Sequence, residues 1–196
     1  MKKNRDVDPL LIEEVKKCHA ILEEGGLILY PTDTVWGIGC DATNVEAVKK
    51  VYQLKNRADS KALICLVSNE AMLERHVTQV PEPAYDIIEL AEKPTTIIYD
   101  APTQVAANVI AEDNTLAIRV ASDTFCQYLI NRLNKPIVST SANISGSPTP
   151  TSYKEIEPTI LKGVDYIVNL HRNKIMATPS SIIKLSNNGE VSIIRQ

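Results

Sequence analysis

Short apolar segments alternate with amphipathic helical segments along most of this chain. Asp8, a capping residue followed by proline, starts a helix that is predicted to end at the glycine pair at 25–26, and Leu27–Tyr30 follows as a strand. Asn44 caps a second predicted helix. Further strands are predicted at 63–67, 95–99, 116–120, 136–138, 165–169, 180–185 and 191–195, and further helices at 81–91, 122–133 and 153–161. This alternation predicts an α/β fold, a twisted mixed sheet flanked by helices, with antiparallel pairing among the closely spaced final strands.

Length and composition narrow the class of protein. At 196 residues the chain is expected to form a single domain over residues 1–196. Aromatic residues make up only 5%, so the core is expected to be mainly aliphatic, and a binding surface of stacked aromatic rings is disfavoured. The net charge of −3 argues against a surface that is basic throughout. Since no apolar segment is long enough to cross a membrane, we expect a cytoplasmic protein that has no membrane partner.

The cysteines and histidines are scattered along the sequence. No CxxC pair occurs, and the three histidines do not cluster, so neither zinc ligation nor a redox pair is predicted. Free reduced thiols and no protein-bound metal site are the expectation.

A glycine-containing segment at 37–42 reads GIGCDA and superficially matches a dinucleotide-binding fingerprint. Asp41 would place a carboxylate beside a pyrophosphate, and no acidic residue closes a strand about twenty residues later. A tight turn whose glycines allow close packing is therefore the favoured interpretation. No GxxxxGK[ST] motif is present, which excludes a P-loop.

Three cations are concentrated between the second helix and the next strand. Lys55, Arg57 and Lys61 are suited to bind a polyanion, because arginine grips phosphate or carboxylate bidentately and lysine acts as a point charge. The alternative is that these cations only stabilise the carboxyl end of the helix through its macrodipole.

Polar residues follow or interrupt two other predicted strands. Ser139–Gly146 is predicted to be a polar loop that is suited to contact an adenylate or an amino-acid head group, although turn chemistry alone also explains it. Arg119 lies inside an apolar strand and needs either a protein carboxylate or a bound anion as partner. The Thr32–Thr34 segment adds hydroxyls and the carboxylate of Asp33, which can orient an amine or help to hold Mg²⁺ on phosphates.

The segments YPTDTVWGIGCDA, LKNRADSKALICLV, AIRV, PIVSTSANISG and PSSIIKL occur in an order and at spacings that resemble the YrdC family of threonylcarbamoyl-AMP synthases. The resemblance covers roughly residues 15–195 and is most specific in the KxR element (Lys55, Arg57) combined with the SxN element (Ser141, Asn143). It implies one YrdC-like domain with a basic concave cavity. The implied reaction makes threonylcarbamoyl-AMP from L-threonine, bicarbonate or CO₂, and ATP, with pyrophosphate release, for threonylcarbamoyladenosine modification of tRNA.

The resemblance also implies site residues and partners. Contacts to L-threonine are expected from Thr34, Arg119, Ser139 and Ser180, with Arg119 on the carboxylate and Ser139 able to serve either ligand. Contacts to ATP are expected from Arg57, Lys61, Ser141 and Arg195, and the catalytic wall from Lys55, Arg57, Ser141 and Asn143. Mg²⁺ would arrive with ATP. A tRNA threonylcarbamoyl-transferase complex would take the product, and direct tRNA or double-stranded RNA contact is an open possibility.

The sequence departs from the family pattern at two places. Ala58–Ala62 replaces a second arginine and a Lys-Pro pair, and Ala91–Pro94 replaces a Trp-Pro-Gly-Pro segment. The chain resembles the short form of the family, so the segment 145–153 is expected to act as the lid. Two alternatives remain open at this point: a synthase-inactive paralogue of the same fold and a double-stranded RNA or tRNA-binding module.

Overall fold

The computed structural model describes residues 7–56 and 63–196, and within them nine strands form one mixed sheet. The strands are β1 (Ile28–Tyr30), β2 (Gly37–Gly39), β3 (Ile64–Val67), β4 (Thr95–Asp100), β5 (Thr115–Val120), β6 (Ile137–Ser141), β7 (Tyr166–Ile167), β8 (Ser181–Leu185) and β9 (Val191–Arg195). The helices are α1 (Pro9–Glu23), α2 (Val45–Leu54), α3 (Glu70–His76), α4 (Pro83–Leu90), α5 (Thr124–Leu133) and α6 (Pro158–Gly163). Short 3₁₀ turns lie at Ala107–Val109 and Tyr153–Glu155.

The strand order in the sheet differs strongly from the order in the chain. It is β7-β1-β2-β6-β3-β5-β4-β8-β9, and three neighbouring pairs are parallel: β1 with β7, β3 with β5, and β4 with β8. The other described neighbours are antiparallel, including the final pair of β8 and β9. The predicted α/β architecture with a mixed sheet is thus confirmed.

Local capping explains where the longer helices start. Asp8 accepts a hydrogen bond from Leu10 N at 2.9 Å, and the Asn44 side chain caps α2 in the same way. The cap of α5 is Asp123, one residue after Ser122, at which this helix was expected to start. These short-range signals are visible in the sequence, so the starts of α1, α2 and α5 agree closely with expectation.

Three predictions about local structure are wrong. Gly37–Gly39 is a strand and not a tight turn, because it pairs with β1 on one side and β6 on the other. The segment Ser139–Ser141 continues β6 instead of beginning a loop. The helix expected at 153–161 is divided into a 3₁₀ turn and α6, and α3 was not predicted at all.

Gly39 of β2 serves close packing. A Cβ atom at Gly39 would lie 2.6 Å from Tyr30 Cε1 and 2.8 Å from the carbonyl oxygen of Val138, so any larger residue would force these neighbours to move. The dinucleotide-binding interpretation therefore has no support, because this segment is a strand in the interior of the sheet and does not open a helix.

The core is largely aliphatic, as expected, but its largest fully buried side chains include aromatic ones. They are Trp36, Tyr30, Tyr52, Tyr99 and Phe125. Helices α1 and α5 pack against each other, and they also contact strands β1 and β3 respectively. Within the described ranges, no helix combines the length and the apolar character that crossing a membrane requires.

Strand register places a set of small and polar residues on one face of the sheet. Gly37 is paired with Ser141, Ile64 with both Ser139 and Ala117, and Ile98 with Ala117. Residues paired across strands point to the same face, and so do residues two positions apart in one strand. Arg119 therefore shares this face with Ala117, and the face continues from β2 across to β8.

Candidate functional site

A cavity of about 330 Å³ lies on this face of the sheet. Its volume falls in the range of about 300–1,000 Å³ that is typical of small-molecule sites. Strands contribute Gly37, Ile64, Ile98, Ala117, Arg119, Ser139, Thr140, Ser141, Ile182, Ile194 and Arg195 to its lining, and loops contribute Thr34, Val35, Leu63, Thr149, Pro179 and Ser180. The small side chains on the central strands leave room for the cavity, and polar groups lie around the edge of the cavity.

Arg119 is the central charged residue of the cavity. Its side chain is only 3% exposed, and Nη2 donates to Asp33 Oδ1 at 2.8 Å and to the Thr34 hydroxyl at 3.4 Å. Its Nε is buried, and no acceptor among the described residues reaches it. A buried guanidinium nitrogen without an acceptor is unfavourable, so this site is suited to bind an anionic oxygen.

Asp33 supplies the protein carboxylate that the sequence left as one of two possible partners for Arg119. One oxygen accepts from Arg119, and the other accepts from Ser122 N at 3.2 Å and from the Ser122 hydroxyl at 3.1 Å. The Asp33 side chain is 7% exposed. Held on both oxygens, this carboxylate keeps the guanidinium at a fixed position at the edge of the cavity.

Ser180 and Arg195 form the opposite edge. Arg195 donates to the carbonyl oxygen of Ser180 from Nε at 3.0 Å and from Nη2 at 2.7 Å, and Nη2 also lies 3.3 Å from the Ser180 hydroxyl. Burial, followed by the nearby positive charge of Arg119, lowers the pKa of Arg195 from its usual value. The positive charges of the two guanidinium groups therefore repel each other, and an anion bound between them would reduce this repulsion.

Lys55 lies behind the wall of the cavity. Its side chain is 1% exposed, and the ammonium donates to the carbonyl oxygens of Ser141 and Asn143, the latter at 2.6 Å. The amide of Asn143 donates in turn to the carbonyl oxygens of Ile144 at 3.0 Å and Ser147 at 2.7 Å. Lys55 and Asn143 thus hold the backbone after β6 in place.

The structure brings most of the predicted site residues together. Thr34, Arg119, Ser139, Ser141, Ser180 and Arg195 all line the cavity. Lys55 and Asn143 contact its wall from outside the lining. Arg57 and Lys61 lie outside the described residues, as does the departure at Ala58–Ala62.

Two residues close to the site had little or no role in the sequence-based interpretation. Asp33 was considered only for an amine or for Mg²⁺, and its pairing with Arg119 joins positions 86 residues apart. Thr96, whose hydroxyl lies 2.8 Å from that of Ser180, was not singled out. Its one signal is a hydroxyl within a predicted strand, and threonine is common in strands for reasons of shape alone.

The described residues do not assemble a metal centre from protein side chains. No group of three histidine, cysteine, aspartate or glutamate residues comes together in ranges 7–56 and 63–196. The four cysteines are free, as expected, and the structure buries all four; burial raises the pKa of Cys65 to about 12.

The chain is similar to known proteins over most of its length. A family model for the Sua5/YciO/YrdC domain, described as "Telomere recombination", matches residues 20–196. The protein named threonylcarbamoyl-AMP synthase of Xanthomonas oryzae pv. oryzae is 32% identical over 153 residues, which are 76% of this chain and 82% of that protein.

Two solved structures of Sua5 from P. abyssi have the same fold. The H234A/Y235A variant superposes with a TM-score of 0.82 at 26% identity and covers 92% of this chain. The complex with L-threonine gives a TM-score of 0.74 at 27% identity and covers 87% of this chain. The present chain spans about half of each of these, 55% and 50% respectively.

Proposed function

The chain belongs to the Sua5/YciO/YrdC family, and from this premise we propose that it makes threonylcarbamoyl-AMP from L-threonine, bicarbonate or CO₂, and ATP. The observation that carries the proposal is the buried guanidinium of Arg119, whose Nε has no acceptor among the described residues, at the edge of a cavity sized for a small ligand. The names of the curated relatives and the L-threonine complex of Sua5 support the same assignment.

L-Threonine would bind at the end of the cavity that holds Arg119. The carboxylate accepts from Arg119, whose remaining donors are suited to a carboxylate fork, and Thr34 and Ser180 offer hydroxyls on either side. Asp33 neutralises the guanidinium in the absence of substrate and fixes its orientation. The bound amino acid is therefore oriented before any chemistry takes place.

The reaction requires two bond-forming steps. The threonine amine adds to CO₂ and loses a proton, which gives a carbamate. A carbamate oxygen then attacks the α-phosphorus of ATP, the bond from that phosphorus to the bridging oxygen breaks, and pyrophosphate leaves. No covalent enzyme intermediate is needed, so catalysis rests on proximity and on stabilising the negative charge that gathers in the cavity.

ATP would bind in the same cavity, next to the amino acid. Arg195, which is hydrogen-bonded to Ser180, and Ser141 line the cavity, and Arg57 and Lys61 are proposed to add charge from outside the described residues. Ser139 also lines the cavity and would serve either ligand, while Lys55 and Asn143 keep its wall in shape. Mg²⁺ would enter with ATP and neutralise its phosphates, since the described side chains offer no ligand cluster of their own.

The product would serve the modification of tRNA. We propose that a tRNA threonylcarbamoyl-transferase complex receives the adenylate, and that any tRNA or double-stranded RNA contact accompanies this transfer. A module that only binds RNA is not favoured, because the curated relatives are named as synthases and the cavity is sized for small molecules. An inactive paralogue is disfavoured because Lys55, Ser141, Asn143 and Arg119 are all present.

Pyrophosphate release tests the proposal directly. The purified protein is incubated with ATP, Mg²⁺, bicarbonate and L-threonine, and threonylcarbamoyl-AMP is identified by mass spectrometry, with L-serine and no amino acid as controls. Arg119→Ala should abolish threonine-dependent release, whereas Arg132→Ala, at an exposed position on α5, should retain it. A folded protein that binds RNA with a steep salt dependence but forms no adenylate would contradict the synthase function.

A further inference from the structure

A buried pair of hydroxyl groups lies at the edge of the cavity that Ser180 forms. Thr96 on β4 is 0% exposed, and its Oγ lies 2.8 Å from Ser180 Oγ. In the described part of the chain, the Thr96 side chain has no other hydrogen-bond partner. Ser180 is 2% exposed and lines the cavity, so it is the one member of the pair that a ligand can reach.

The donors and acceptors around Ser180 can be assigned from this arrangement. A buried hydroxyl hydrogen that finds no acceptor costs free energy, and the acceptor within reach of Thr96 is Ser180 Oγ, so Thr96 donates to it. Arginine has no acceptor atom, so Arg195 Nη2, at 3.3 Å, also donates to Ser180 Oγ. Both lone pairs of the Ser180 oxygen are then occupied, and its own hydrogen is left for the cavity.

The residues around Ser180 determine which ligand group can accept its hydroxyl hydrogen. The ligand must offer a hydrogen-bond acceptor to this hydrogen. The guanidinium groups of Arg119 and Arg195 both line the same cavity. Positive charge on both sides favours an anionic oxygen over a neutral hydroxyl. A hydroxyl that itself accepts from a guanidinium is also a stronger donor, because hydrogen bonds in a chain polarise one another.

We propose that Thr96 is a positioning residue that fixes Ser180 as a hydrogen-bond donor to the carboxylate of the amino-acid substrate, opposite Arg119. This inference rests on the proposed function for the identity of the substrate. It assigns to Ser180 the recognition of the group that all amino acids share, and not of the threonine side chain. Selectivity for threonine must then come from other lining residues.

Two substitutions and two ligands test the proposal. Thr96→Val removes the hydroxyl at nearly constant shape, and Thr96→Ser keeps it. L-Threonine and L-2-aminobutyrate, which lacks the side-chain hydroxyl, are titrated calorimetrically into the full chain. Thr96→Val should weaken both ligands by about three- to tenfold, the effect of one hydrogen bond, and Thr96→Ser should restore both. The KM for ATP should stay unchanged.

The outcomes separate the alternatives. If Thr96→Val weakened the binding of L-threonine but not of L-2-aminobutyrate, the proposal would be overturned, because Ser180 would then bond to the side-chain hydroxyl of threonine. Undiminished binding to Thr96→Val would overturn the role of Thr96 alone, whereas a wild-type protein that binds no L-threonine would refute the proposed function. If Thr96→Val does not fold, Ser180→Ala provides the test, since it must weaken both ligands to the same extent.

Discussion

Replacing Asp33 by alanine should destabilise the protein strongly, because it leaves the guanidinium of Arg119 without its partner. The Arg119 and Asp33 side chains are 3% and 7% exposed, and their charged atoms are 2.8 Å apart. Removing one member of a buried ion pair costs about 3–5 kcal/mol. Ser122 also loses its bonds to Asp33, but it is exposed, so water replaces them at little cost. For a chain of this length the loss corresponds to a fall in Tm of roughly 6–20 °C.

Urea unfolding of three variants measures this contribution. Asp33→Ala should be less stable than the double variant Asp33→Ala/Arg119→Met, because the double variant carries no unpaired buried charge. Ser122→Ala is the matched control and should change the free energy of unfolding by less than about 0.5 kcal/mol. A cost below about 1 kcal/mol for Asp33→Ala, or a double variant as unstable as the single one, would refute the reasoning, since it would mean that water solvates Arg119.

Three further predictions concern packing, the cavity wall and the thiols. Gly39→Ala should destabilise by about 1–3 kcal/mol in urea unfolding because its Cβ overlaps Tyr30, whereas Gly37→Ala, with its nearest contacts at 3.4 Å, should not. Lys55→Met should lower the free energy of unfolding by about 3 kcal/mol, since charged hydrogen bonds to two carbonyl oxygens are lost; an unchanged urea midpoint would contradict this. Cys65, with its pKa raised to about 12 by burial, should not react with a thiol reagent at pH 8 until the protein is unfolded, and the other buried cysteines should behave alike.

The parts of the fold that depend on neighbours in sequence were predictable. Asp8 and Asn44 cap helices through side-chain bonds to residues two or three positions away, so their effect is readable from the chain alone. The strand at Gly37–Gly39 was not predictable in this way. Its glycines carry no strand preference, and its conformation is imposed by pairing with β1 and β6.

In the candidate site, too, features that depend on neighbours in sequence were predictable, and features that depend on distant contacts were not. The sequence pointed to Arg119, because a charge in an apolar strand demands a partner, but the identity of that partner depended on a contact between distant segments. Lys55 was expected in the wall of the cavity, but the sequence could not show that its ammonium donates to the backbone of Ser141 and Asn143. Thr96 was not singled out, because a threonine inside a strand is ordinary until its hydroxyl is seen next to Ser180.

The order of strands in the sheet also bears on how and when the cavity forms during folding. Its lining joins Thr34 to Arg195, so several long loops must close before the polar groups face one another. Sheets with such non-local pairing fold slowly compared with helical proteins. A chain still on the ribosome without β8 and β9 lacks Arg195 and one of the two strands that pair with β4. Ligand binding during synthesis or refolding would therefore be detected only after β8 and β9 have joined the sheet.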